Sequence, residues 1–177
     1  MRLRIAIAAA VALAALSGMI AIGIHWFAGT DARGARLPFA TTRTAPAPFA
    51  TFDDANVAVG GRCVRVLVAS TLAQRNRGLR DVRDLGPYAG MLFVFPAEVH
   101  TRFTMANTPT PLDITFFAAN GTPVDRTRMT PCPNGTDATC PTYASKRAYR
   151  YALERPAGAT GGGGSIGPCS GASAAFG

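Results

Sequence analysis

The chain has 177 residues, of which 48% are hydrophobic, and carries a formal net charge of +8 at pH 7. A chain of this length suits one domain with additional segments. Its basic residues are scattered, without a basic stripe, aromatic platforms or a known binding motif, so the sequence argues against nucleic-acid binding. The excess of positive charge predicts a solvated basic surface, and attraction to anionic lipid or wall polymer is the alternative.

The N-terminus begins with an apolar segment that is long enough to be a transmembrane helix. Arg2 and Arg4 precede an uncharged run over residues 5–28. As a helix, that run is roughly 36 Å long, against a hydrocarbon core of about 30 Å. It exceeds the apolar region of a signal peptide, and Trp26 near its end is typical of a membrane interface. We therefore predict a membrane anchor over residues 1–28, with the rest of the chain extracytoplasmic. A cleaved leader and a secreted protein are the alternative.

Three further segments follow the apolar run. Residues 29–55 are rich in Ala, Thr and Pro and lack a helical or strand period, so we predict a linker. Residues 56–168 contain the periodic apolar segments of a β domain. Residues 169–177 follow a Gly-rich stretch, and we predict a flexible tail there.

The first half of the domain predicts two strands around a short helix. The sequence VRVLVAS, from residue 64, alternates and is β-branched, which predicts a strand. Thr71 followed by Gln74 fits a capping box, and Gly78 is placed to end the helix. The apolar run GMLFVF over residues 90–95 predicts a strand that is buried on both faces.

The second half of the domain predicts a hairpin and a further strand. Residues 112–117 alternate, with Asp113 and Thr115 on the face opposite the apolar side chains. Asn-Gly at residues 120–121 is a strong hairpin signal and predicts a partner strand over 123–129. The sequence YRYALERP over 149–156 predicts a strand with its two Tyr and Leu on one face.

The four cysteines predict disulfides, because an even count outside the cytoplasm is typical of bridged proteins. Cys132 and Cys140 bracket a turn-rich loop and form the expected pair. Cys63 and Cys169 are the remaining pair, with two buried free thiols as the alternative. We expect no metal or other cofactor, because the chain lacks a CxxC motif and His100 is the only His outside the apolar run.

Several short strands, one short helix and many turn residues together indicate the fold class. They predict a mainly β domain, formally α+β, built as a compact antiparallel sandwich or barrel-like sheet.

The order of the sequence blocks is more specific than any one of them. ASTLAQRNRGL, GMLFVF, FTMANTPTPLDITFF, an Asn-Gly turn and YALERPAG follow one another over residues 57–168. This succession resembles the domain-of-unknown-function family 192. The chain departs from the family pattern at Arg80, where Met is frequent, and at Thr104 and Ala106, which stand beside the central Met in place of Trp and Lys. The resemblance implies a compact β-rich fold and no established activity. The matching positions are Thr71, Arg75, Gly78, Leu79, Gly90, Met91, Phe93, Phe103, Met105, Asn107, Thr108, Pro111, Leu112, Asp113, Ile114, Leu153, Glu154 and Gly158.

Five polar or polarisable residues of these blocks are the candidate ligand-binding set: Arg75, Met105, Asn107, Thr108 and Asp113. The alternative is a scaffold role, in which the Asn and Thr hydrogen-bond the backbone of a tight turn. In that case the Asp pairs with an arginine of residues 75 or 102, or accepts backbone N–H groups.

No catalytic residue is predicted. His100 with Glu98 or Asp113 would make a general base, but no nucleophile accompanies it. The carboxylates Glu98, Asp113 and Glu154 remain as candidates for glycoside hydrolysis only by elimination. The sequence therefore predicts a membrane-tethered, non-catalytic domain that binds a small ligand or another envelope protein near residues 107–113. An envelope hydrolase acting on wall polymer or glycan is the alternative.

Overall fold

The structure, a computed structural model, describes residues 34–161 and 163–169. The predicted membrane anchor over residues 1–28 lies outside these ranges, as does the predicted tail from residue 170 onward. Within the described ranges, no helix is long and apolar enough to cross a membrane.

Ten strands and one short helix make up the described chain, so the fold is mainly β, as predicted. The elements are β1 (Arg43–Thr44), β2 (Asp53–Val59), β3 (Arg62–Ala69), α1 (Leu72–Arg77), β4 (Met91–Val99), β5 (Arg102–Thr104), β6 (Leu112–Phe117), β7 (Pro123–Met129), β8 (Thr142–Ala144), β9 (Tyr149–Pro156) and β10 (Ile166–Gly167).

Eight strands form one sheet in the order β1-β2-β3-β4-β9-β6-β7, with β10 added beside β2, while β5 and β8 pair separately. The fold is an open sandwich, but its main sheet is not wholly antiparallel. β3 and β4 run parallel because the chain crosses over between them through α1. The prediction of an antiparallel sheet was therefore wrong at this pair, since a strand-helix-strand succession favours a parallel crossover.

β4 lies in the middle of the sheet and contributes to both hydrophobic clusters. Its first five side chains, residues 91–95, are buried, as the continuous apolar run predicts. Met91, Phe93 and Phe95 belong to the larger cluster, whereas Leu92 and Val94 belong to the cluster on the other face. Burial of each such side chain contributes about 1.5–3 kcal/mol. This alternation fixes which side chains of β4 face α1 and β5.

Local signals define the helix and the hairpin as predicted. Thr71 accepts from the backbone N–H of Gln74 in a complete capping box, and Gly78, at φ 51°, is the C-cap. The Asn120-Gly121 turn joins β6 and β7 antiparallel, with Gly121 at φ 82°. Helix α1 has only six residues, none of them buried, so its position depends on its contacts with β3 and β4.

One strand face differs from the prediction. Tyr151 and Leu153 lie in the smaller cluster, but Tyr149 lies in the larger cluster on the opposite face. The pairing of β4 with β9 loses its regular register between Val94 and Val99. A two-residue side-chain period does not survive such an irregularity, because the extra residues rotate the strand.

Part of the segment predicted as a linker packs on the domain. β1 pairs with β2, and Ala45, Phe49 and Phe52 are buried in the larger cluster. A two-residue edge strand and aromatic residues separated by prolines produce no periodic pattern, so the sequence does not reveal this packing.

Both predicted disulfides are present. Cys63 and Cys169 join the start of β3 to the C-terminal end of the described chain, with Cα atoms 5.3 Å apart. Cys132 and Cys140 close the turn-rich loop, with Cα atoms 6.1 Å apart. Paired cysteines of this kind indicate an oxidising, extracytoplasmic environment.

Candidate functional site

Asp113 is a buried acid whose carboxylate accepts hydrogen bonds from three neighbouring residues. Its carboxylate accepts from the Nε of Arg128 at 3.0 Å, from Arg126 at 3.0 Å and from the backbone N–H of Gly158 at 3.0 Å. The hydrogen bond from Arg128 is the main reason that the pKa of Asp113 falls to about 2, and it outweighs the effect of burial. Of the two alternatives for a scaffold role, pairing with an arginine at position 75 or 102 was wrong, whereas acceptance of a backbone N–H is confirmed at Gly158.

The other three candidates, from residues 105–108, have structural roles in the hydrophobic core or in a tight turn. Met105 is fully buried in the larger cluster. Asn107 has φ 55°, and its backbone N–H and C=O bond Cys132 and Asp81. Thr108 is buried, and its hydroxyl donates to the carbonyl of Ala106 at 3.4 Å. The backbone groups of these residues build a tight turn.

A pocket of about 720 Å³ lies elsewhere, between α1, the sheet face of β4, β5 and the disulfide loop. This volume falls within the range of small-molecule sites, roughly 300–1,000 Å³. Of the five predicted candidates, Arg75 alone lines it. The lining residues are Leu72, Arg75, Asn76, Arg77, Gly78, Leu79, Arg80, Phe93, Phe95, Val99, Thr101, Arg102, Phe103, Thr104, Asp137, Thr142 and Glu154.

The interior wall of the pocket is aromatic. Phe93 and Phe103 stack edge to face with ring centroids 5.0 Å apart. Phe95 packs edge to face on the fully buried Tyr149 at 5.5 Å. The alternation of β4 places Phe93 and Phe95 on the same face, and β5 brings Phe103 against them. The wall is therefore a rigid apolar surface, held in shape by the larger cluster.

Arg75 holds the helix against this wall. One guanidinium nitrogen donates to the carbonyl of Ser70 at 2.6 Å and to that of Val94 at 3.1 Å. The guanidinium also lies 5.0 Å from the centroid of the Phe95 ring. These contacts fix α1 over β4, so Arg75 positions one wall of the pocket.

Glu154 lies deep in the pocket, on the central strand β9. Its neighbours across the sheet are Met91 of β4 and Ile114 of β6. The residue is only 4% exposed. Among the described residues, no side chain or backbone group hydrogen-bonds or pairs with its carboxyl. Burial therefore raises the pKa of Glu154 to about 8, so the acid is mostly neutral at pH 7 and can donate a hydrogen bond.

An ion pair spans the mouth of the pocket. Arg80 pairs with Asp137 of the disulfide loop. Arg80 also donates to the backbone carbonyls of Asn76 at 3.2 Å and Ala106 at 3.3 Å. Position 80 departs from the family pattern, and the arginine there ties α1 to the Cys132–Cys140 loop. The bridged loop thereby forms one side of the entrance.

The sequence indicates Glu154 only by elimination and does not indicate the pocket. A usable signal was present, because an acidic residue interrupts the apolar strand sequence YALERP. An acid in a strand whose two faces are both covered is a functional candidate. The aromatic wall had no such signal, since Phe93, Phe95 and Phe103 are equally typical of a core. Within the described residues, no group of three or more His, Cys, Asp or Glu is placed to hold a metal ion.

Comparisons with known proteins agree with this architecture. Residues 55–164 match the model of the family DUF192, described as "Uncharacterized ACR". The chain is similar to a crystal structure of a protein of unknown function from Novosphingobium aromaticivorans, with a TM-score of 0.54 and 22% identity, over 67% of this chain and 83% of that chain. It is also similar to a protein from Sinorhizobium meliloti 1021 that is described as a candidate transcription regulator, with a TM-score of 0.49 and 28% identity, over 59% of this chain and 80% of that chain. No curated protein matches the chain.

The family match spans more than half of the chain and includes the helix, the central strands and the hairpin. The first structural likeness supports the mainly β fold and carries no information on activity. The chain belongs to the family DUF192, as the order of its sequence blocks predicts.

Proposed function

We propose that this chain is a non-catalytic binding domain, tethered to the outer face of a membrane by residues 1–28, and that its ligand occupies the pocket beneath α1. The proposal keeps the binding role expected from the sequence. It moves the site from residues 107–113 to the pocket, because the scaffold already engages Asp113 and Thr108.

The carboxyl of Glu154 carries the proposal. Glu154 is only 4% exposed and lines the cavity, and no other described residue hydrogen-bonds its carboxyl. A ligand in the cavity would supply the hydrogen-bond partner that the carboxyl lacks among the described residues. Strongly perturbed acids in clefts are frequent at functional sites.

The composition of the lining favours binding over catalysis. Among the described lining residues there is no Ser, Cys or His, which are the usual nucleophiles and general bases. The threonine hydroxyls of Thr101, Thr104 and Thr142 have no histidine beside them in this lining. The pocket offers shape, positive charge and one hydrogen-bonding acid.

The test is a ligand screen with a variant that fills the pocket. Asn76 and Ala73 are both exposed on α1, but only Asn76 lines the cavity. We expect Asn76→Trp to block binding and Ala73→Trp to leave it intact. The purified full-length chain would be screened by calorimetric melting against sugars, wall fragments, nucleotides, metals and organic acids. A ligand at about 100 times its Kd adds roughly 2.7 kcal/mol of stability.

Stabilisation that Asn76→Trp removes and Ala73→Trp retains would support the pocket as the site. Stabilisation that both variants retain would place the site elsewhere and overturn the proposal. The tether is tested separately, because an anchored chain stays in the membrane fraction after alkaline carbonate extraction, whereas a chain with a cleaved leader is released.

A hydrolase is the second candidate, and Glu154 is also the observation that favours it. An acid with a pKa near 8 is suited to protonate a leaving group, and Asp137 supplies a second carboxylate at the pocket mouth. In that case Glu154→Gln would abolish release of sugar from wall polymer while binding persists. Absence of any turnover by the wild-type chain would exclude this candidate.

A further inference from the structure

The pocket has two chemically different regions, a cationic mouth and an apolar interior. Four arginines line it, at positions 75, 77, 80 and 102, against one ionised carboxylate, Asp137. Asp137 is paired with Arg80. The lining therefore carries an excess of positive charge, which attracts anions and repels cations.

Two of these arginines are available to a ligand. Arg77 is exposed at the end of α1, and its guanidinium makes no hydrogen bond or ion pair with another described residue. Arg102 is exposed on β5, where it makes one long bond of 3.4 Å to the hydroxyl of Thr142. The two side chains line the pocket from different elements, α1 and β5. A planar guanidinium matches a planar carboxylate in two parallel hydrogen bonds.

The interior of the pocket sets two further requirements for the chemistry of the ligand. Phe93, Phe95 and Phe103 offer flat apolar surface, which favours an aromatic or branched body on the ligand. The lining also contains the buried Glu154, whose carboxyl is hydrogen-bonded by no other described residue. A neutral carboxyl donates one hydrogen bond, so its best partner is an uncharged oxygen such as a ketone or ether.

We propose that the pocket binds a small aromatic carboxylate whose acid group lies between Arg77 and Arg102 and whose uncharged oxygen accepts a hydrogen bond from Glu154. This inference rests on the proposed function, since it names the chemistry of the same site. In this arrangement Glu154 selects ligands that carry the uncharged oxygen, and the two arginines bind the negative charge of the ligand.

Four probes separate the three requirements. 4-Acetylbenzoate contains the carboxylate, the ring and a ketone oxygen. 4-Isopropylbenzoate replaces the ketone by an apolar group of similar shape, and 4-acetylbenzamide removes the charge. 4-Acetylphenylphosphonate replaces the carboxylate by a phosphonate. Binding to the full-length chain would be measured by isothermal titration calorimetry at pH 6.5.

We expect 4-acetylbenzoate to bind most tightly, with loss of the charge or of the ketone each weakening binding by about tenfold. Glu154→Leu should abolish the preference for the ketone over the isopropyl group, while Glu154→Gln, which keeps a donor, should preserve part of it. The double variant Arg77→Gln/Arg102→Gln should lose the preference for carboxylate over amide. A control with the same net charge is Arg62→Gln/Arg147→Gln, because neither of those arginines lines the pocket.

Equal affinity for the charged and uncharged probes would overturn the carboxylate assignment. Tighter binding of the phosphonate would assign the mouth to phosphate-like anions instead. If no probe binds, the ligand class is wrong. The proposed function fails separately, when every ligand found in the broader screen still binds the Asn76→Trp chain.

Discussion

Two acidic side chains on adjacent strands of the main sheet have opposite surroundings. Asp113 of β6 and Glu154 of β9 are similarly buried, at 7% and 4% exposure. Asp113 receives two arginines and a backbone N–H, and its pKa falls to about 2. Glu154 receives no such partner among the described residues, and its pKa rises to about 8. Burial alone therefore does not identify a functional acid, and the supply of hydrogen-bond donors separates a structural acid from a binding one.

The two acids also make stability depend on pH with opposite signs. The folded pKa of Asp113 lies below its unfolded value, so its contribution is present above about pH 4 and is lost as pH falls toward 2. The folded pKa of Glu154 lies above its unfolded value near 4.5. Its ionisation in the unfolded state therefore lowers stability as pH rises from about 4.5 to 8.

The largest effect is expected for Glu154→Gln. The wild-type chain should lose up to about 1.4 kcal/mol per pH unit through this one group between pH 5 and 8. The Gln variant removes that dependence, so its stability relative to wild type should rise across the same range. Urea unfolding at pH 5, 6.5 and 8 measures the difference. Glu98→Gln, at an exposed position, is the matched control, and an equal trend in both variants would contradict the assignment.

Asp113→Asn should destabilise the domain by about 2 kcal/mol at pH 7, because the hydrogen bonds from Arg126, Arg128 and Gly158 lose their charged acceptor. The loss should shrink as pH falls from 4 to 2, where the wild-type acid is itself protonated. Urea unfolding over this range provides the measurement. Asp84→Asn is the control, since among the described residues this exposed acid accepts only a local hydrogen bond, from the backbone N–H of Gly86. A wild-type level of stability at pH 7 would show that the scaffold does not need the charge.

Arg128→Ala should cost less stability than Asp113→Asn, because the Arg128 side chain is exposed and because Arg126 and Gly158 still donate to the carboxylate. Combining Arg128→Ala with Asp113→Asn should add little to the Asp113→Asn effect, since the two residues share one interaction. A double-variant cycle in urea measures the coupling. Fully additive losses would mean that the two side chains act independently.

Arg80→Ala should have the smallest effect on stability, about 0.5 kcal/mol, because its partner Asp137 is largely exposed. Its consequence should appear in binding, since the ion pair spans the pocket mouth. We expect slower association of the anionic ligand, measured by stopped-flow mixing, because the change removes one positive charge from the lining and leaves Asp137 unpaired. An unchanged association rate would show that the charge at position 80 does not act on ligand entry.

Much of the fold follows from local signals in the sequence. The Thr71–Gln74 capping box, the Asn120-Gly121 turn and the apolar run of β4 each specify their structure within a few residues. The hairpin pairs Asp113 with Arg128, after a register shift between Phe116 and Phe117, so the hairpin signal indicates the partner strand of this acid rather than its exact partner. The expected pairing with position 75 or 102 ignored that register.

The remaining features depend on contacts between distant segments. The parallel pairing of β3 with β4 and the turn of Tyr149 to the opposite face arise from sheet assembly. The pocket requires α1, β4, β5, β9 and the disulfide loop to meet, and no local pattern encodes that meeting. Whether a buried acid has hydrogen-bond donors around it likewise depends on contacts between distant segments.

The most direct test of the account is the titration of the Glu154 carboxyl. The chain contains two glutamates, Glu98 and Glu154. Side-chain 13C labelling of glutamate therefore gives two carboxyl resonances, which Glu98→Gln assigns. We expect a titration midpoint for Glu154 near pH 8, which shifts when ligand binds. A midpoint near 4.5 would show an ionised, solvated acid and would contradict its role as the hydrogen-bond donor of the pocket.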